Sequence, residues 1–471
     1  MEAAGAALQR IGQEAGGGAI AVLCGGMLTN EEYYLAQKLA RGVLSTNHID
    51  NLGGPWQQAI YEGLSSSLGF GAMTNSLDDI AGAGAILALG SNTLEKHAIA
   101  AIRARKAARD GAPLIVAHPS RVLLSKTANL YLPLKDGGEA ALLLGLMKVI
   151  LDEGLQDDAF LEQYTQDFAE LEGSLQKVRM EEVAAKTGLS EEEIRSAARL
   201  YASRRPACLV YGVEPATTPA TDSFFKLCAS LQLLLGSVGV ARGGVIVMGA
   251  TGNSQGAADF GALPKYLPGY RPVMAATSRK LAAELWGCNL PEKAGMSWPA
   301  VFDALSRNEV RALYLIGVDP FELGLNPREV AEHLAGLELL IVQDANRTRA
   351  CDFAHTVLPA PTFVEKAGTT TNCERRVQRL TPALGSPPGV RSDFEWINRL
   401  IAHLQPELQL ASPEAAFAEA TQLIAQLNDV APDRIPVEGL QWPVDAQGNG
   451  TERLQLPENG EAKFKFFAAR L

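Results

Sequence analysis

The sequence has no close cysteine pairs, although it contains six cysteines. They are Cys24, Cys208, Cys228, Cys288, Cys351 and Cys373. Iron–sulfur clusters and structural zinc usually need CxxC or CxxxC spacing, because one loop then directs two thiolates at the metal. We therefore expect no cluster and no metal site in this chain. The cysteines are interpreted as small buried apolar residues of a reducing compartment.

Basic residues are outnumbered, and long apolar runs are lacking. The formal net charge is −11, which argues against nucleic acid or an anionic membrane surface as the main partner. No apolar run reaches the ~20 residues of a membrane span, and segment 1–18 lacks the features of a secretory signal. We expect a cytoplasmic chain without direct membrane insertion.

Short apolar runs alternate with helical patterns along most of the 471 residues. The first ordered element predicted is a strand at 19–26, followed by a helix that Thr29 or Asn30 caps. The same alternation returns in 82–154 and in 312–360. Strands that alternate with helices favour parallel α/β sheets.

The Gly-rich segment 236–261 is expected to form a long irregular loop, a kind of segment that often carries function. Within it, the backbone N–H groups of 252–261 could cradle a phosphate. Alternatively, the segment only packs two domains together. Asn253 and Gln255 are its candidate cofactor-binding side chains.

Several long motifs, in order along the chain, resemble one family. They are TNEEYYLAQKLARGVLSTNHIDN (29–51), GSNTLEKHAIAAIRARKAARDGAPLIVAHPS (90–120), GNSQGAADFGALPKYLPGY (252–270), VLPAPTFVEKAGTTTNCERRVQR (357–379) and GLQWP (439–443). They are similar to the formate dehydrogenase branch of the molybdopterin oxidoreductase family. The resemblance implies two dinucleotide-binding-like, Rossmann-type α/β domains, one inserted in the other.

The expected domains follow from this resemblance. Residues 1–51 and 246–420 would form a discontinuous α/β domain, and 52–245 an inserted α/β domain. Residues 421–471 would form a small β-rich tail. We expect the chain to lack the family's N-terminal iron–sulfur cluster domain and its C-terminal cap domain. The large iron–sulfur subunit of respiratory complex I similarly carries a body of this family without molybdenum.

The family's catalytic positions are occupied by other residue types. Asp50-Asn51 and Gly63-Leu64 both match the family, which fixes the register between them. The metal-ligating Cys or selenocysteine then falls on Trp56, and the following His on Gln57, which cannot shuttle a proton. The expected active-site Arg falls on Phe225, which cannot hold a carboxylate. Trp56 either plugs an emptied position or stacks on a bound ring.

If the chain binds molybdopterin guanine dinucleotide, the resemblance and the strand ends suggest its contacts. The candidates are Asn92, Glu95, Asn253, Gln255, Asp319, Asp344, Glu374 and Arg375. Helix capping explains the first two equally well, and ordinary turns explain the two aspartates. Glu374 and Arg375 could instead anchor a neighbouring subunit. His118 and Ser120 depart from the family's D-P-R-R-x-E motif, which weakens the case for nucleotide binding.

Three functions remain open from the sequence. The first is a non-catalytic scaffold subunit, without its own cofactor, in an NADH- or ferredoxin-linked complex such as an NADH dehydrogenase. Its partners would carry the iron–sulfur clusters and flavin. The second is a pterin-dinucleotide-binding oxidoreductase subunit that partner chains complete. The third is a nucleotide-binding module.

Overall fold

The structure is a computed structural model that describes residues 1–90, 93–213, 221–458 and 461–470. It divides into two compact units. The first comprises Met1–Gln57 and Thr251–Thr451, and the second comprises Gln58–Ala250 and Glu452–Leu471. The predicted domains, 1–51 with 246–420, 52–245 and 421–471, remain a proposal.

The strands of the described residues are short. They are β1 Ile20–Cys24, β2 Ile49–Asn51, β3 Ala85–Leu89, β4 Leu114–His118, β5 Leu130–Pro133, β6 Thr165–Gln166, β7 Ala207–Gly212, β8 Gly244–Met248, β9 Tyr266–Leu267, β10 Arg271–Pro272, β11 Ala312–Ile316, β12 Leu339–Asp344, β13 Thr356–Pro359, β14 Gly368–Thr371, β15 Arg376–Leu380, β16 Leu440–Gln441 and β17 Phe464–Lys465.

The helices range from single turns to fifteen residues. They are α1 Glu2–Ala15, α2 Asn30–Lys38, α3 Gly54–Leu68, α4 Leu77–Ile80, α5 Thr93–Lys96, α6 Ala98–Arg109, α7 Glu139–Asp152, α8 Asp158–Tyr164, α9 Phe168–Leu175, α10 Met180–Thr187, α11 Glu191–Ala202, α12 Asp222–Leu234, α13 Ser254–Asp259, α14 Ala276–Trp286, α15 Trp298–Ser306, α16 Pro327–Ala335, α17 Asp393–Leu404 and α18 Pro413–Thr421.

The first unit is built on a five-stranded parallel sheet with the order β13-β12-β11-β1-β2. Every residue of β1 and β11 is buried, as expected for strands that are covered on both faces. Counted within the unit, the order is 2-1-3-4-5, which is that of flavodoxin-like sheets. The order reverses between β1 and β11, and ligands of such sheets bind at this switch point.

The second unit contains its own five-stranded parallel sheet, with the order β5-β4-β3-β7-β8. Counted within the unit, this is 3-2-1-4-5, the order of Rossmann-type sheets. All residues of β3, β7 and β8 are buried. The predicted α/β class with parallel sheets is therefore confirmed.

The Gly-rich segment 236–261 is not a long irregular loop, so that prediction is wrong. Residues 244–248 form β8, which pairs in parallel with β7, and 254–259 form α13. The run GVIVM contains three β-branched residues, which suit a pleated strand. Gly244 has a φ of +100°, and it admits the chain into the strand without the steric cost of a Cβ.

The prediction that strand 19–26 is the first ordered element is also wrong, because helix α1 precedes it. Its buried residues include Ala4, Leu8 and Ile11. That spacing of four and then three residues forms one apolar stripe of a helix. This pattern in the sequence indicates the helix. Thr29 is the cap of α2, with a reciprocal capping box to Glu32, so this one of the two predicted caps is confirmed.

Candidate functional site

A cavity of about 740 Å³ lies in the first unit, at the switch point of its sheet. Its wall includes residues that follow β1, such as Met27, and residues that follow β11, such as Gly317 and Asp319. The two turns touch there: a Cβ on Gly25 would lie 1.7 Å from the carbonyl oxygen of Gly317. Only glycine fits at position 25, so the backbone itself shapes this edge of the cavity.

Both aspartates predicted at strand ends line this cavity. The Asp319 carboxylate accepts hydrogen bonds from the backbone N–H groups of Phe321, at 3.1 Å, and Arg349, at 2.9 Å. The Asp344 carboxylate accepts one from Asn346 N–H at 2.8 Å, and burial raises the pKa of Asp344. The turns on which these carboxylates lie are thus held by the carboxylates themselves.

A buried ion cluster that the sequence did not predict also contributes to the cavity wall. The Lys366 ammonium lies 3.2 Å from a carboxylate oxygen of Glu32 and contacts Asp393. Burial alone would lower the pKa of Lys366, but the two carboxylates raise it, and burial raises the pKa of Glu32. Arg349, whose guanidinium lies 4.1 Å from the Phe321 ring centroid, adds positive charge to the same wall.

Trp56, which the motif resemblance predicts for the family's metal-ligand position, lies in the first turn of α3. Its side chain is only 2% exposed. The indole N–H has no hydrogen-bond partner among the described residues. An indole N–H donates and offers no lone pair, so it cannot take the place of a thiolate or selenolate on molybdenum. The metal end of a molybdopterin group therefore does not fit the residue that stands here.

Gln57, which the resemblance predicts for the position of the family's His, belongs to a buried hydrogen-bond network. Its side-chain amide donates to the side-chain oxygen of Gln255 at 2.8 Å. Gln255 in turn donates to the Asp259 carboxylate at 2.8 Å and to the Tyr270 hydroxyl at 3.0 Å. The Trp442 indole donates to the other Asp259 oxygen at 2.8 Å. Burial raises the pKa of Asp259 to about 7.

Three further candidate residues of the first unit are held by the polypeptide itself. Arg375 is fully buried and donates to the carbonyl groups of Trp442 and Thr451; burial lowers its pKa to about 9. Asn253 donates to a backbone carbonyl at 2.9 Å and accepts from a backbone N–H at 2.7 Å. Glu374 accepts from the Arg376 guanidinium at 3.0 Å. These contacts hold loops in place within the unit.

The remaining candidates lie in the second unit. Phe225, which the resemblance predicts for the family's Arg position, is fully buried. Its ring centroid lies 5.7 Å from that of Tyr211 and 5.2 Å from that of Phe224. Glu95 is exposed on α5, while Asn92 lies outside the described residues. His118 accepts a hydrogen bond from Ser120 N–H at 3.0 Å.

Nowhere in the described part of the chain are three His, Cys, Asp or Glu side chains grouped so that they could hold a metal ion. Among the described helices, none combines the length and the apolar character that crossing a membrane requires.

The sequence is similar to curated redox enzymes. It is 34% identical over 444 residues to the F420-dependent formate dehydrogenase subunit alpha of Methanocaldococcus jannaschii, covering 92% of this chain and 65% of the relative. It is 31% identical over 445 residues to formate dehydrogenase H of Escherichia coli, covering 92% and 62%. A third relative is the NADPH-Fe(3+) oxidoreductase subunit alpha of Geobacter sulfurreducens, 31% identical over 425 residues, covering 90% and 50%. The chain thus spans less than two thirds of each relative.

Among solved structures, acetylene hydratase from Pelobacter acetylenicus shares the fold, with a TM-score of 0.69 at 18% identity. The match covers 98% of this chain and 66% of the hydratase chain. The sequence profile described as Molybdopterin oxidoreductase matches residues 1–403. With the motifs, the two parallel sheets and this match in agreement, the chain belongs to the molybdopterin oxidoreductase family.

Proposed function

We propose that this chain is a non-catalytic, formate dehydrogenase-like scaffold subunit of a multi-subunit electron-transfer complex. In this role it holds iron–sulfur and flavin subunits at distances that permit electron transfer. The complex is NADH- or ferredoxin-linked, of the complex I or electron-bifurcating type, and cytoplasmic. The relatives from Methanocaldococcus and Geobacter are themselves named as alpha subunits, which supports an assignment to a larger assembly.

One observation carries the proposal: Trp56, the residue that the motif resemblance predicts for the family's metal-ligand position, is buried. Trp56 offers no metal ligand, and its large side chain is 2% exposed. Next to it, the amide of Gln57 is engaged with Gln255 inside a buried network. Neither residue can transfer a proton near neutral pH.

The position of the family's substrate-binding Arg supports the same conclusion. A formate carboxylate needs a cation with two parallel donors, whereas Phe225 is packed among aromatic rings. Three further ionisable groups belong to the buried network. Asp259 and Arg375 are engaged with Trp442, and the Tyr270 hydroxyl accepts a hydrogen bond from Gln255. In this proposal these residues stabilise the unit. The chain then lacks the metal ligand, the proton-transferring His and the carboxylate-binding Arg that formate oxidation needs.

The test is the metal and pterin content of the complete complex. The chain is purified through an affinity tag from a host that makes the molybdenum cofactor, together with its partner subunits. We expect no stoichiometric molybdenum or tungsten and no fluorescent pterin after oxidative extraction. A formate dehydrogenase loaded in the same host is the positive control. Stoichiometric metal bound with pterin would overturn the scaffold function.

The cavity favours a second candidate function, which is nucleotide or pterin-dinucleotide binding by the first unit. Its volume of about 740 Å³ is within the range of small-molecule sites, and it lies where flavodoxin-like sheets bind their ligands. Asp344, half-buried at its wall, would accept hydrogen bonds from a ribose or a guanine base.

Calorimetry with guanine and adenine nucleotides tests this second candidate. Binding should be lost in Asp344→Ala and kept in Asp303→Ala, which removes an exposed carboxylate from α15. The absence of heat with every nucleotide would exclude the idea and leave the scaffold proposal intact.

A further inference from the structure

The crossover helix α6 of the second unit has an unusual outer face. Its buried face consists of Ala100, Ala101, Ala104 and Ala107, small residues that repeat at helical spacing and allow close packing. On the outside, Ile99 and Ile102 are each 55% exposed. Leu123, on the short helical turn that packs beside α6, is 44% exposed. These three apolar side chains form one patch on the surface.

Cations surround this patch. Helix α6 carries Arg103, Arg105, Lys106 and Arg109 and contains no acidic residue. Between residues 95 and 126 there are seven basic and two acidic side chains, a net charge of +5, although the whole chain has a net charge of −11. Asp78 of the neighbouring helix α4 pairs with Arg103, which leaves +4 when it is counted. On the helix, Arg105, Lys106 and Arg109 share the exposed arc with Ile102. We call this surface, residues 96–109 with 121–126, the basic apolar face.

We propose that the basic apolar face is the docking site of an acidic protein subunit, one whose surface carries carboxylates around an apolar centre. Charge complementarity identifies the occupant: a positive surface on an acidic chain attracts a negative partner and orients it. The isoleucines supply the apolar centre that protein interfaces bury, and the cations form a polar rim around it. This inference rests on the proposed function, because a scaffold needs partner subunits.

Two other occupants fit the face less well. Nucleic acid binds by neutralising phosphates, and it gains little from two exposed isoleucines at the centre of the patch, while the rest of the acidic chain repels it. A second copy meeting the same face across a two-fold axis would bring like charges together, because such an interface pairs a patch with itself. An acidic protein partner uses both the charge and the apolar centre.

Zero-length cross-linking of the purified holocomplex tests the proposal. A carbodiimide joins a lysine amine directly to a carboxylate, and the face offers Lys96, Lys106 and Lys126. We expect peptides in which at least one of these lysines is joined to an Asp or Glu of another subunit. Cross-links confined to this chain, such as Lys106 to Asp110, with which it already pairs at 2.7 Å, would overturn the proposal.

Charge reversal gives a matched comparison. Arg105→Glu with Arg109→Glu should weaken retention of the cross-linked subunit roughly tenfold or more at moderate salt. The control, Lys280→Glu with Arg328→Glu, makes the same change in charge on the exposed helices α14 and α16 and should retain the subunit. Both proteins are compared at equal thermal midpoints. If either reversal fails to fold, the cross-links of the unaltered complex decide alone.

Other results of these two experiments also decide between the proposals. Equal loss in both variants, intermolecular cross-links to a second copy, or a nuclease-sensitive partner at this face would each contradict an acidic protein partner. Stoichiometric metal in the complex would overturn the scaffold function and leave this surface untouched. Missing cross-links would overturn the surface and leave the scaffold function standing.

Discussion

Trp56 and Gln57 are predicted to stand where the family has a metal ligand and a proton-transferring His. The indole is buried at 2% exposure, and the amide of Gln57 closes onto Gln255. Residues of these types lack the reactive groups but still fill the interior. At the scale of the residue, we therefore expect both side chains to stabilise the core.

Truncation of Trp56 tests this view. Trp56→Ala should lower the free energy of unfolding by about 3–5 kcal/mol, because a large buried side chain leaves a cavity. Trp56→Phe keeps an aromatic ring and removes an N–H that has no partner among the described residues, so its loss should be clearly smaller. Chemical denaturation measures both. Equal stability of all three proteins would contradict a core role for the indole.

The buried carboxyl group of Glu31 predicts how stability depends on pH. Glu31 is 2% exposed, its carboxylate accepts hydrogen bonds from the N–H and the hydroxyl of Thr369, and burial raises its pKa to about 7. The folded chain therefore keeps this proton at pH values where the unfolded chain has released it. The stability that this group contributes is present at acidic pH and is lost as the pH rises through the folded pKa.

The measurement is the free energy of unfolding between about pH 5 and about pH 8. Stability should fall with rising pH, by up to about 1.4 kcal/mol per pH unit for one such group below its folded pKa. Glu31→Gln should make the slope shallower, while Glu172→Gln, on the exposed face of α9, should leave it unchanged. An identical slope in the Glu31 variant would contradict a buried, protonated carboxyl at this position.

At the scale of elements, close packing of α3 against α12 explains how Phe225 is buried. A Cβ on Gly63 would lie 2.5 Å from the carbonyl oxygen of Asp222 and 2.6 Å from the Cβ of Phe225. No side chain fits between the two helices there. The glycine lets α12 approach, and Phe225 then packs against its aromatic neighbours.

Gly63→Ala should therefore destabilise the chain by about 1–3 kcal/mol, since overpacking outweighs the better helix propensity of alanine. Gly173→Ala is the matched control: it also lies in a helix, and a Cβ there meets nothing within 4 Å. That variant should gain about 0.5–1 kcal/mol. Thermal and chemical unfolding report both values. A stabilised Gly63 variant would show that the helices are not in close contact.

The sequence could predict features that depend on neighbours along the chain. Alternating strand and helix patterns predicted the parallel sheets, and local polar spacing predicted the cap at Thr29. It could not predict contacts between distant segments. Asp259 meets Trp442 across the unit, and Lys366 meets Glu32, although no local pattern links them. Their only signal was a charge placed within an otherwise apolar stretch.

At the scale of the whole molecule, the chain carries two parallel sheets with nucleotide-binding topologies, each described by itself. The first keeps a cavity at its switch point, where ligand-binding architecture survives. The second carries the basic apolar face on α6. Under the proposed scaffold function, these two features would serve ligand binding and subunit assembly.

Anomalous X-ray scattering from crystals of the purified complex, recorded at a molybdenum and a tungsten absorption edge, tests the central claim most directly. The account predicts density for the Trp56 indole and no anomalous peak next to it. A strong peak beside that indole, bound by pterin sulfur atoms, would contradict the account.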